Sequence, residues 1–199
     1  MAQLTAVSRP RRTNPGRRVR SRRLLYPLDM VYARSGVAQP VAKPLAPADL
    51  PAPSRSLLDH ERDMTSTLEE YCGGRVALRA LTTFAKGRSY FRQVLLVQET
   101  TGRPLAMGAI RLNLAAFPSR IRAAILRTER PLGRLLREGG IAFLSRPVAF
   151  LAITPNSDMM GVFWMPGPRT LYGRQTVAFV GGKHVGDIIE ILPRAREGK

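Results

Sequence analysis

The sequence predicts an α+β protein built on a single antiparallel sheet with helices on one face. Apolar segments occur in pairs joined by short turns, which is typical of antiparallel hairpins. Two helical segments, each opened by a proline, lie between these pairs. The chain has 199 residues and 44% of them are hydrophobic, which is enough for one domain with a core that helices help to cover.

The first 55 residues are expected to be a basic, proline-rich, disordered extension, and the folded domain is expected to cover 56–199. The stretch "RPRRTNPGRRVRSRR" contains eight arginines and no acidic residue, and half of the 16 prolines lie in residues 1–55. This composition is typical of an extended or disordered chain. Three roles stay open for it: a nucleic-acid- or membrane-binding arm, an organelle transit peptide, or a solvated extension.

The domain is expected to open with a helix over residues 57–72. Ser66 precedes Glu69 by three residues, which is the spacing of a capping box, and Gly73 can end the helix. A strand, a hairpin, two helices and two further hairpins follow at 75–84, 89–114, 118–127, 131–140, 147–165 and 173–192. The hairpins are expected to turn at Thr100–Gly102, Pro155–Asp158 and Gly181–Gly182. It stays open whether the apolar segment 139–170 forms a lid or part of the sheet.

Charge and composition exclude several classes of protein. The net charge of +18 favours anionic partners. The single cysteine, Cys72, excludes an intramolecular disulfide and fits a cytoplasmic location. No apolar run is long enough to cross a membrane. His60 and His184 offer no zinc-ligand spacing, and dinucleotide-binding and P-loop motifs are absent, so we expect neither a metal nor a cofactor.

Nucleic acid is not the expected partner. The arginines of the extension have no aromatic residues among them that could stack on bases, and only the charge favours this partner. We expect instead a small anionic molecule as the partner. The oligomeric state stays open.

Two charged residues lie in strands that are otherwise apolar. Arg92 shares a strand face with Val94, and Glu190 shares one with Ile188. A solvent-exposed face would explain one such residue. Two of them predict a closed pocket that contains a guanidinium and a carboxylate, because burying an unpaired charge is costly. The guanidinium matches a carboxylate ligand, and Glu190 can accept a hydrogen bond from a hydroxyl group.

From about Leu57 to Pro193 the chain resembles the chorismate lyase (chorismate pyruvate-lyase) family. The resemblance depends on four segments in order: "DMTSTLEEY", "YFRQVLLV", "RPLGRLL" and "YGRQTVAFVGGKHVGDIIEILP". It implies a single antiparallel sheet with helices that encloses a buried pocket. It also implies a cofactor-independent lyase that converts chorismate to 4-hydroxybenzoate and pyruvate. Arg92 and Glu190 would be catalytic, and Met64, Arg92, Leu132 and Glu190 would contact the substrate.

Two departures from the family leave other functions open. The segment 137–170 is longer and more apolar than in the family, and Gln175 stands where a second arginine is common. These departures favour a larger or more apolar ligand. One alternative is an enzyme of natural-product biosynthesis on the same fold, such as a cyclase. Another is a non-catalytic small-molecule-binding domain like those of bacterial transcription regulators with this fold, although residues 1–55 show no helix-turn-helix pattern.

Overall fold

The computed structural model describes residues 23–193, which form one seven-stranded sheet with helices. The strands run in the spatial order β1-β5-β6-β7-β4-β3-β2, and each neighbouring pair is antiparallel. They are β1 Val41–Leu45, β2 Val76–Lys86, β3 Ser89–Gln98, β4 Pro104–Asn113, β5 Phe143–Thr154, β6 Leu171–Val180 and β7 Lys183–Leu192. The predicted fold class, α+β with a single antiparallel sheet, is confirmed.

Six α-helices cover the sheet within the described residues. They are α1 Leu28–Ser35, α2 Ser54–Leu58, α3 Met64–Cys72, α4 Ser119–Arg127, α5 Leu132–Glu138 and α6 Ser157–Val162. Short 3₁₀ turns lie at Pro47–Asp49 and Leu114–Ala116. In residues 23–193 no helix has the length and apolar character needed to cross a membrane.

Helices pack on both faces of the sheet, whereas the sequence predicted them on one face. Helices α1 and α6 pack on one face through Leu28, Tyr32 and Met159. Helices α2 to α5 pack on the opposite face and form two further apolar clusters. Because side chains alternate along a strand, neighbouring residues such as Arg174 and Gln175 point to opposite layers.

The expectation of a disordered extension up to residue 55 fails for residues 23–55. Leu28, Val31 and Tyr32 are buried in the core, and β1 pairs with β5 over its full length. These three residues, with Leu24 and Leu25 before them, follow the spacing of an amphipathic helix. Burial of this apolar face stabilises a packed helix, although the surrounding residues are rich in proline and arginine. Residues 1–22 lie outside the described part of the chain.

The expected hairpin over 147–165 is also wrong. The chain leaves β5 at Thr154 and enters α6, because the side chain of Asn156 caps that helix by accepting a hydrogen bond from the Met159 amide at 2.9 Å. Strand β5 instead pairs with β1 and β6. The apolar segment 139–170 therefore contributes strand β5, which lies next to the edge strand, and a short helix rather than a lid alone.

The expected helix over 57–72 is interrupted. It forms α2 and α3 with a connector at 59–63, because Asp63, and not Ser66, caps α3. The Asp63 carboxylate accepts a hydrogen bond from the Ser66 amide at 3.0 Å. This break allows the start of α3 to face the sheet. The hairpins β3–β4 and β6–β7 and the helices opened by Pro118 and Pro131 agree with the prediction.

Candidate functional site

A cavity lies between the sheet and the first residues of α3 and α5. All four residues that the sequence singled out, Met64, Arg92, Leu132 and Glu190, line this cavity. Met64 and Leu132 are the first residues of α3 and α5, while Arg92 and Glu190 project from β3 and β7. The cavity volume is about 70 Å³. It is therefore much smaller than typical ligand pockets of roughly 300–1,000 Å³.

Gly108 on β4 creates the gap in the floor of the cavity. It pairs with Val94 on β3 and with Glu190 on β7, so the absence of its side chain leaves space between these two neighbours. Arg92 is two residues from Val94 and projects from the same face. Arg92 and Glu190 therefore flank the gap. Strand spacing puts their Cα atoms roughly 12 Å apart.

Arg92 is a buried cation without a counter-charge in the part of the chain that the structure describes. Its relative exposure is 2%, and its Nε and Nη1 atoms have no hydrogen-bond partner within residues 23–193. Burial lowers the pKa of Arg92 to about 10, so the guanidinium is still protonated at neutral pH. An unpaired buried charge is unfavourable by several kcal/mol. The side chain is therefore suited to receive an anion.

Glu190 lies on the cavity wall, but its charge is matched by Arg174. Arg174 Nε donates to Glu190 Oε2 at 2.6 Å, and the Arg174 side chain is completely buried. Arg174 Nη1 also donates to the carbonyl oxygens of Leu58 at 2.8 Å and His60 at 2.7 Å. Arg174 thus links the end of α2 and the connector that follows it to the sheet. Glu190 Oε1 makes no hydrogen bond to a described residue.

Sequence reasoning missed Arg174. The turn at Gly181–Gly182 pairs Val180 with Lys183, and counting outward from it puts Gly173 opposite Glu190. A bulge beside Ala178 and Phe179 shifts the register by one residue and brings Arg174 opposite Glu190 instead. Gln175, which stands where a second arginine is common in the chorismate lyase family, projects from the other face, where its Nε2 donates to the carbonyl oxygens of Arg23 at 2.7 Å and Tyr26 at 2.9 Å.

The start of α3 is fixed next to the cavity by close packing against α5. A side chain added at Gly133 of α5 would overlap the Asp63 carboxylate, so only glycine fits at this position. The first amides of a helix lack intrahelical acceptors and carry partial positive charge. Met64 and Thr65, at this end of α3, both line the cavity, as does Arg92. The Asp63 carboxylate, which also lines the cavity, offsets the positive charge of this helix end, so Arg92 is the main source of positive potential there.

His60 adjoins the Arg174 pair from the connector. Its Nε2 lies 2.9 Å from the carbonyl oxygen of Leu57, and its Nδ1 lies 3.3 Å from Arg174 Nη1. This geometry fits a neutral ring that donates through Nε2 and accepts at Nδ1. Burial, and then the charge of Arg174, lower the pKa of His60. Within residues 23–193, no cluster of three or more His, Cys, Asp or Glu side chains could hold a metal ion.

Neither protein families nor curated proteins show a match to this chain. Among solved structures it is similar to PhnF from Mycobacterium smegmatis, with 11% identity and a TM-score of 0.52 over 67% of this chain. The match spans 64% of that PhnF chain, so the likeness covers only part of it. The effector domain of the same PhnF gives 11% identity and a TM-score of 0.51, covering 68% of this chain and 90% of the domain.

A GntR-family transcriptional regulator from Bacillus cereus is also similar, with 12% identity, a TM-score of 0.44 and coverage of 62% of this chain and 95% of that one. Neither PhnF structure is described as a lyase, and the expected conversion of chorismate to 4-hydroxybenzoate and pyruvate by Arg92 and Glu190 is wrong. The cavity is too small for that ring-bearing dianion, and Glu190 is held by Arg174. The chain shares its fold with the effector domain of PhnF.

Proposed function

We propose that this protein is a non-catalytic domain that binds a small anionic molecule in the cavity between the sheet and helices α3 and α5. The observation that carries the proposal is the Arg92 guanidinium, which is buried and has no counter-charge in the described residues. A bound anion would supply that counter-charge and two charge-assisted hydrogen bonds.

The surroundings of Arg92 favour an anion with a short apolar body. Met64, Leu132 and Ile188 provide apolar walls. A cavity of about 150 Å³ can hold benzene, and this one is about 70 Å³. The cavity is therefore smaller than an aliphatic carboxylate such as butyrate needs, and binding would require α3 and α5 to move apart.

Binding without conversion is supported by how the charges are arranged. The carboxylate that the lyase hypothesis made catalytic forms an ion pair with Arg174, which also donates to the carbonyl oxygens of Leu58 and His60. The fold shared with an effector domain, a type of domain that responds to a ligand, supports the same conclusion. We therefore assign Arg92 to anion binding, Met64 and Leu132 to the apolar walls and Glu190 to the far side of the gap.

Butyrate and butyramide distinguish an anion site from an apolar site, because they have similar shapes and differ in charge. We expect butyrate to raise the melting temperature of the wild-type protein in a dose-dependent way and butyramide to have no such effect. Arg92→Met should abolish the response, whereas Arg79→Met, at an exposed arginine of β2, should keep it. Equal responses of wild type and Arg92→Met to butyrate would contradict the proposal.

A further inference from the structure

A second cleft lies between the carboxyl end of α3, the start of β2 and helix α5. Its volume is about 680 Å³, which falls within the roughly 300–1,000 Å³ of typical ligand pockets. It shares no described lining residue with the Arg92 cavity. Four arginines line it: Arg75, Arg130, Arg134 and Arg137. A concave surface lined by one sign of charge concentrates the field, so this cleft is a candidate anion site of its own.

Arg134 is the arginine of the cleft that the fold holds in place. Its side chain is 18% exposed, and its Nη2 donates to Glu69 Oε1 and, at 3.1 Å, to the carbonyl oxygen of Val76. Its Nε and Nη1 donate to no group within residues 23–193. A fixed guanidinium with unused N–H groups can bind an anion at little cost in side-chain entropy.

Arg75 and Arg130 lie at the exposed rim of the cleft. Arg130 Nη1 lies 2.9 Å from Glu138 Oε2, and both side chains are more than half exposed. An exposed pair of this kind contributes little, so Arg130 can exchange its carboxylate for another anion. Arg75 forms no ion pair in the described part of the chain, whereas Arg137 is paired with Asp63 at 3.3 Å. The cleft therefore has positive charge that its own carboxylates do not neutralise.

The lining of the cleft indicates the chemistry of the ligand. Every described lining residue except Gly74 carries a charge, so an organic ligand would find no apolar or aromatic surface there. Guanidinium groups match the oxygens of phosphate in a planar, bidentate way. The cleft is also several times larger than a single phosphate group. These properties favour a ligand that is recognised through several phosphate oxygens.

We propose that this cleft binds a small anion that contains at least two linked phosphate groups, with Arg75, Arg130 and Arg134 as the donors. The ligand would replace Glu138 as the partner of Arg130 and would supply a counter-charge for Arg75. The site does not depend on the proposed function, because the Arg92 cavity is lined by other residues.

Calorimetric titration with inorganic pyrophosphate tests the site, with inorganic phosphate as the comparison. The ionic strength is held at about 0.15 M, because salt screens exposed charges. Pyrophosphate should bind at least about tenfold more tightly than phosphate, since it can use more guanidinium donors at once. Arg75→Gln and Arg130→Gln should each weaken pyrophosphate binding at least about fivefold. Arg127→Gln is the matched control and should change it less than about twofold, because Arg127 is equally exposed and also ion-paired but does not line the cleft.

A variant of opposite sign tests whether Glu138 competes with the ligand. Glu138→Gln releases Arg130 and removes a negative charge from the cleft, so pyrophosphate should bind about two- to fivefold more tightly. Glu129→Gln removes the acidic partner of Arg127 outside the cleft and should change the affinity less than about twofold. All of these side chains are exposed, and thermal unfolding should show that each variant keeps the stability of the wild type.

Three outcomes would overturn the inference. Pyrophosphate that binds no more tightly than phosphate, or equally to the wild type, Arg75→Gln and Arg130→Gln, would indicate an adventitious anion only. Loss of pyrophosphate binding in Arg92→Met would place the anion in the other cavity. Tight binding of a single-stranded oligonucleotide of about 20 nucleotides, without binding of pyrophosphate, would assign the arginines to a nucleic-acid surface instead. The response of the protein to butyrate tests the Arg92 cavity separately.

Discussion

Arg174 and Glu190 lie directly opposite each other on β6 and β7, and their side chains form a buried ion pair with Nε 2.6 Å from Oε2. The pair explains how a carboxylate is accommodated in an otherwise apolar strand. It also connects the sheet to the segment 58–60, because Arg174 donates to two carbonyl oxygens there. The partner that Glu190 requires is thus supplied by the protein itself, whereas Arg92 has no such partner within residues 23–193.

We first predict that Arg174→Met strongly destabilises the protein. It leaves Glu190 as an uncompensated buried charge, which costs about 3–5 kcal/mol. Chemical denaturation should show this loss, and Arg79→Met should show less than about 0.5 kcal/mol. Adding Glu190→Leu to Arg174→Met should recover most of the loss, because the unpaired charge is removed. A double variant that is less stable than Arg174→Met would contradict the role of the ion pair.

Replacing Arg92 should have the opposite effect on stability in the absence of ligand. Arg92→Met removes an unpaired buried cation and keeps an apolar stem, so the free energy of unfolding should rise by about 1–4 kcal/mol. Arg92→Lys keeps the charge but loses the planar guanidinium that can form two parallel hydrogen bonds, and it should weaken butyrate binding by about 1.5–3 kcal/mol. Unfolding curves without ligand and calorimetric titrations check the two effects. A less stable Arg92→Met protein would show that the guanidinium has a counter-charge in the free protein.

The pH dependence of stability should carry a contribution from His60. Its pKa in the folded protein is lowered by burial and by Arg174, so the unfolded chain binds the proton more readily. Stability from this group is complete above the unfolded value of about 6.5 and falls as the pH drops below it. The free energy of unfolding of wild type and of His60→Gln, compared between pH about 7.5 and 5, isolates the contribution of His60. The raised pKa of Asp29 affects both proteins equally. Parallel stability curves would contradict the prediction.

The N-terminal helix α1 should be required for stability. Leu28 is completely buried against the sheet, so Leu28→Ala should cost about 2–5 kcal/mol. Val41, which is 61% exposed on the edge strand β1, provides the control, and Val41→Ala should have a much smaller effect. Thermal or denaturant unfolding measures both. Equal effects would show that α1 does not contribute to the cooperative core.

Sequence reasoning succeeded where local signals were sufficient and failed where the partner was distant. Prolines and glycines mark the helices α4 and α5 and the β6–β7 turn, and the charged residues Arg92 and Glu190 in apolar strands indicate the cavity. The Arg174 pair depends on a one-residue bulge, which no local pattern reveals. The packing of α1 depends on a sheet formed mostly by residues that follow it by more than 60 positions.

The same distance in sequence has a consequence for how the protein is made. Arg174 and Gln175 connect the sheet to the segments that pack on its two faces. Arg174 donates to the carbonyl oxygens of Leu58 and His60, and Gln175 donates to those of Arg23 and Tyr26. During synthesis the first helices emerge before these two residues exist, and contacts this far apart in sequence form slowly. Residues 23–60 therefore lack their hydrogen bonds to Arg174 and Gln175 until the ribosome has released the β6–β7 hairpin.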